Sequence, residues 1–158
     1  MANLESDIKR NSNGRHNIFA HRVLKNEKYY IENFTGRAFE FLLRHCLLNY
    51  DVDSTLYKRL GLFDSNFEIY GINQESSQID LILHGKTDRI VRIIECKWSN
   101  RYEASWIEQL KGKRLEIEDN FTRMNVLATI GPVPKSFSRL AANNDVRLIQ
   151  LDDLIAVT

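Results

Sequence analysis

The spacing of apolar residues changes several times along this chain, and each change marks an element. The first 14 residues, closing on Lys9-Arg10-Asn11-Ser12-Asn13-Gly14, are polar and hold too little apolar surface to order themselves. Residues 1–14 are therefore read as a flexible polar arm and 15–158 as one domain. From Asn17 to Ile31, Ile18, Phe19, Val23, Leu24, Tyr29 and Tyr30 recur at mixed spacing with Lys25 and Lys28 outward, which predicts a helix ending before Asn33. Arg37 to Leu48 is apolar nearly all the way round and predicts a buried helix, inside which the charge of Glu40 needs a reason. A short helix is expected between Ser54 and Phe63, loosened at Gly61.

After Phe63 the period shortens. Phe67–Ile72, Gln78–His84 and Arg89–Trp98 read as strands, the last rich in β-branched residues, with His84-Gly85-Lys86-Thr87-Asp88 as the turn between the second and third. Glu103 to Asp119 predicts a charged amphipathic helix with Trp106, Leu110, Leu115 and Ile117 inward, weakened by Gly112. Met124–Ile130 is a fourth strand, Pro132 and Pro134 open a helix through Leu140, Val146–Leu151 is a fifth strand, and Asp152-Asp153 caps a last helical turn. The order is α-α-β-β-β-α-β-α-β, an α/β pattern with no internal repeat.

Composition adds exclusions. With 43% hydrophobic and 27% charged residues, seven glycines and two prolines, the chain is neither fibrous nor a disordered tail. The 22 Lys+Arg balance 21 Asp+Glu, so any hold on nucleic acid must come from local clusters such as Lys9, Arg10, Arg15, Arg22, Lys25 and Lys28. Cys46 and Cys96 lie in apolar segments without metal-ligand spacing, which reads as buried, reduced thiols in a cytoplasmic protein. No stretch approaches the roughly 20 apolar residues of a membrane span, so no membrane association is expected.

Candidate chemistry sits in the second and third strands. Asp80 interrupts an apolar strand, and Glu95 precedes Lys97 by two residues, so that Glu95 and Lys97 share a face while Cys96 points the other way. With Thr87 and Asp88 at the hairpin tip, facing residues have numbers summing to 175, which sets Asp80 opposite Glu95. Two carboxylates opposed in an apolar setting require a cation between them. Mg²⁺, with Mn²⁺ as substitute, takes one or two carboxylates and keeps several waters. Lys97 on the same face would lower the pKa of a metal-bound water or steady the charge at a phosphate under attack.

Ile79-Asp80 followed by Glu95-Cys96-Lys97, in an α-β-β-β-α-β order, resembles the restriction-endonuclease-like PD-(D/E)xK nucleases, with Ile79 where their usual proline stands. Over Tyr29–Ile155 the likeness is closer. Phe34-Thr35-Gly36-Arg37-Ala38-Phe39-Glu40, Ser77-Gln78-Ile79-Asp80-Leu81-Ile82, Glu95-Cys96-Lys97-Trp98-Ser99, Gln109-Leu110-Lys111-Gly112-Lys113 and Leu151-Asp152-Asp153-Leu154 are similar to the nuclease-like C-terminal domain of prokaryotic AAA-type ATPases. The resemblance implies a restriction-endonuclease-like core (αβββαβ) with a mixed central sheet flanked by helices. It also implies the Asp80/Glu95/Lys97 set and an additional helix carboxylate at Glu40, for which an i, i+4 pair with Arg44 is the plain alternative. Gln109 would hold a metal-bound water and Lys113 a phosphate from the helix running past the site; a solvated helix face is the alternative for both. No GxxxxGK[ST] phosphate loop occurs, so the ATPase would be a partner and this chain a free-standing relative or an excised domain.

The leading expectation is thus a Mg²⁺-dependent deoxyribonuclease, structure- or end-dependent in its cleavage. Asp80, Glu95 and Glu40 would be its metal ligands and Lys97 would act on the water. Expected partners are DNA, an AAA-type ATPase and a second copy of the chain, contacted through the helix before Asn33. The rival from another class is a catalytically inactive nuclease-fold module that positions DNA or docks on an ATPase.

Overall fold

The structure, a computed structural model, describes residues 36–74 and 77–155. The predicted arm, the predicted helix from Asn17 to Ile31 with its dimer contact, and the N-terminal basic cluster lie outside the described residues.

Ten elements follow one another: α1 (Gly36–Asn49), α2 (Thr55–Arg59), β1 (Phe67–Gln74), β2 (Ser77–Gly85), β3 (Ile90–Lys97), α3 (Ser105–Lys111), β4 (Thr122–Thr129), α4 (Lys135–Asn143), β5 (Val146–Gln150) and α5 (Leu151–Ile155). The strands form one sheet in the order β1-β2-β3-β4-β5. The tight connections β1 to β2 and β2 to β3 give antiparallel pairs, whereas the connections through α3 and α4 make β3–β4 and β4–β5 parallel. This is an α/β fold with a mixed five-stranded sheet.

Alternation along the strands splits the core into two layers. Leu81, Leu83, Ile94, Cys96, Val126, Ala128 and Ile149 face α1, α2 and α5. Ile79, Ile82, Val91, Ile93, Leu127 and Val146 face Trp106, Ile107 and Leu110 of α3 and Phe137 and Ala141 of α4. α1 buries Phe39, Leu42, Leu43, His45, Cys46 and Leu47 but leaves Leu48 exposed, so its apolar surface is a broad stripe and not the full circumference expected from the sequence.

α2 begins where Ser54 Oγ accepts the Tyr57 N–H, and the chain turns out of it through Gly61 at φ +67°. Arg92, fully buried on β3, donates to the carbonyls of Leu60 (2.7 Å), Gly61 (3.3 Å) and Ile90 (3.3 Å) and to Asp88 Oδ2 (2.6 Å), fastening the end of α2 to the sheet.

α3 is much shorter than the Glu103–Asp119 helix expected. It stops at its C-cap Gly112, and Arg123 of β4 donates to the carbonyls of Leu110 and Lys113, satisfying groups that a longer helix would have used itself. The chain then runs without regular structure, Leu115 and Ile117 still packing on the α3 side of the sheet.

Candidate functional site

The expected hairpin register is present. Leu81–Ile94, Ile82–Ile93, Leu83–Arg92 and His84–Val91 are paired between β2 and β3, each pair summing to 175. The ladder ends there, so Asp80 and Glu95 are not ladder partners as expected.

The cause lies on the other side of β2. Tyr70 pairs with Ile82 and Ile72 with Ile79, so the single residue Gly71 stands opposite both Asp80 and Leu81. This β-bulge lifts the Asp80 backbone out of the ladder and re-aims its side chain. A Cβ on residue 71 would stand 2.8 Å from the Asp80 carbonyl oxygen, so only glycine fits against the bulge. Asp80 Oδ2 then accepts the Cys96 N–H at 2.9 Å, and the carboxylate fills the gap where β2 has left β3.

Glu95 and Asp80 thus meet at the fork where the two strands part. Glu95 is buried, and its Oε1 has no hydrogen-bond partner. Lys113 Nζ approaches that oxygen at 3.5 Å as an ion pair without hydrogen-bond alignment. Burial, then the charge of Asp80, push the Glu95 carboxyl up to about 7, against the pull of Lys113 and Lys97. Glu40 of α1 reaches the same space from the opposite layer. Burial, then the Asp80 charge, raise its carboxyl, while Arg44 and Arg37 draw it down from a distance. The Cys96 thiol, enclosed and close to all three carboxylates, is raised well above its ordinary value by burial first and by those charges second. It is a core side chain, as expected from its setting.

These groups line one open cleft of about 700 Å³, whose wall includes Arg37, Glu40, Gly71, Asp80, Glu95, Lys97 and Lys113. Of the six site residues expected from sequence, Asp80, Glu95, Lys97, Glu40 and Lys113 line it, and Gln109 lies exposed on α3 outside the lining. Lys97 shares the cleft, but its Nζ sits 5.9 Å from the Trp106 ring centroid, held over the indole face. The ammonium nearest Glu95 Oε1 is instead that of Lys113, which also donates to the Gln78 carbonyl. His84 packs edge-on to Phe121, and Trp98 packs on Phe39, both away from the cleft lining. Gly71 and Arg37 carry no assignment from sequence alone; an isolated glycine between Tyr70 and Ile72 is the available signal of a bulge.

The matched family covers the elements that build this fork. The chain belongs to the family described as Archaea bacterial proteins of unknown function. The match runs over residues 7–109, which takes in α1 and β1 to β3 with Glu40, Gly71, Asp80, Glu95 and Lys97, and stops short of Lys113. Neither curated proteins nor solved structures give a match.

The carboxylates fit a hard divalent ion. A buried carboxylate oxygen that no hydrogen bond satisfies, with a long ion pair to Lys113 on one side and a second carboxylate on the other, is a costly arrangement that a divalent cation would relieve. Among the described residues no three His, Cys, Asp or Glu side chains gather closely enough to enclose an ion. Two carboxylates in an open cleft are a donor set that Mg²⁺, which keeps several of its own waters, could use.

Proposed function

We propose that this chain is a metal-dependent nuclease with a restriction-endonuclease-like core, hydrolysing phosphodiester bonds in DNA. The element order supports the reading: one helix packs beneath an antiparallel β1-β2-β3 meander, and a helical crossover leads to the parallel β4. The observation that carries it is the pairing of Asp80 with a buried Glu95 whose Oε1 lacks a hydrogen bond, in a cleft lined by Lys97.

Asp80 and Glu95 would hold Mg²⁺ or Mn²⁺, and Glu40 would act through an intervening water from the facing layer. When bound, the ion would supply a water more acidic than bulk water and a Lewis acid for the phosphate. The chain's own groups do the rest. Asp80 stays oriented because the Cys96 N–H fixes its Oδ2. Lys97 offers an ammonium whose travel the Trp106 face restricts, and it stabilises the extra negative charge as the phosphorus becomes five-coordinate. Arg37, at the first turn of α1 on the cleft wall, would neutralise a neighbouring phosphate.

The test is plasmid nicking with Mn²⁺ by the parent and by Asp80→Ala. Nicking by the parent and a loss of at least about 100-fold in the variant are expected, the scale of losing a principal electrostatic group. Equal rates, or no cleavage of plasmid, branched, single-stranded or duplex DNA by the parent, would reject the reading in favour of an inactive module.

A further inference from the structure

Lys113 occupies an unusual place for a residue beyond the end of a helix. It lies in the stretch just after α3, held there because Arg123 takes the Lys113 carbonyl. From that anchor its side chain crosses to the fork and spans it. The ammonium donates to the Gln78 carbonyl on β2 and stands 3.5 Å from Glu95 Oε1 on β3, with only 24% of its side chain exposed. The ammonium thus stands against the Glu95 oxygen that a cation held by Asp80 and Glu95 would also use.

We propose that Lys113 is a tethered stand-in for the divalent ion: it holds the fork together while the site is empty and competes with the ion for Glu95. The proposal rests on the metal-site reading given above. It explains why the buried Glu95 is tolerated beside Asp80 in the folded chain, and why its pairing with Lys113 is loose, an ion pair without hydrogen-bond alignment that can be given up. It also separates two lysines that sequence places in one neighbourhood. Lys97 is engaged with Trp106, so losing it should disturb the ion's seat less. Once Glu95 is released, Lys113 remains tied to the Gln78 carbonyl at the cleft wall, where its charge faces the substrate.

The test is calorimetric titration of the 158-residue chain with Mn²⁺ alone, at fixed ionic strength. Lys113→Met should bind Mn²⁺ about tenfold more tightly than the parent, the effect of removing one partly buried competing charge. Lys113→Gln, which keeps a donor for the Gln78 carbonyl, should show the same tightening, and Lys113→Arg should remain near the parent. Lys97→Met should change the affinity by less than Lys113→Met does. Parent binding with unchanged or weaker affinity in both neutral Lys113 variants would overturn the competition while leaving the metal site standing. So would a Lys97→Met variant that tightens as much. Absence of Mn²⁺ binding in the parent and every variant would overturn the metal site and the competition together.

Discussion

The two ends of the β2–β3 hairpin treat buried charge in opposite ways. Near the closed end, Arg92 is entirely buried, yet its guanidinium donates to three carbonyls and to Asp88, whose other oxygen accepts the Ile90 N–H. At the open end, Glu95 is buried with an oxygen that no hydrogen bond satisfies, next to another carboxylate. A charge whose partners are complete contributes to holding a fold together. A charge left incomplete costs stability and is retained where a ligand completes it. The contrast places structure at one end of the hairpin and chemistry at the other, although both ends are built from the same two strands.

The comparison can be broken at either end, and the largest effect belongs to the closed one. Arg92→Met should destabilise the chain by about 3–5 kcal/mol in chemical denaturation, the cost of opening a buried, hydrogen-bonded ion pair. Cleavage per folded molecule should be retained. At the open end, Lys97→Met should lower turnover by about 100-fold, roughly 2.7 kcal/mol of barrier, with Mn²⁺ affinity little changed. A variant that cleaves at the parental rate would remove Lys97 from the chemistry.

Gly71→Ala is intermediate: the new Cβ meets the Asp80 backbone, so the bulge must shift, at about 1–3 kcal/mol of stability and with weakened metal binding. The smallest effect is a pH slope. The folded chain holds the Glu95 proton up to about 7 against an ordinary 4.5, so between those values it binds more protons than the unfolded chain. That contribution to the metal-free protein's stability should be full below pH 4.5 and lost as pH rises through 7. It should be absent in Glu95→Gln. Asp88 tilts the other way: burial raises its carboxyl, but the Arg92 and Ile90 hydrogen bonds outweigh that and lower it, so its contribution is lost on acidification below its ordinary 3.8.

Local signals carried most of the hairpin. The turn at Thr87-Asp88 set the register, and alternation set the faces of Glu95, Cys96 and Lys97, because both depend on near neighbours in sequence. What alternation could not show was the bulge. It is imposed by the β1 partner, and its one local trace is Gly71.

The long α3 failed for a similar reason. Gly112 alone would weaken a helix, but Arg123, ten residues beyond Lys113, is what takes its final carbonyls. Gln109 keeps its place on α3 outside the cleft, whereas Lys113, just past the end of the helix, lines it. Arg92 was illegible because its carbonyl partners on the α2 exit lie about thirty residues away and carry no side-chain signature.

The site's chemistry depends on Glu95 being a charge that an ion completes. Glu95→Gln should be measured beside the parent at pH 8, both for thermal unfolding without metal and for Mn²⁺ binding by calorimetry. A variant that melts higher than the metal-free parent and no longer binds Mn²⁺, where the parent does, is the expected result. A variant that melts lower, together with a parent that binds no Mn²⁺ at millimolar concentration, would contradict it.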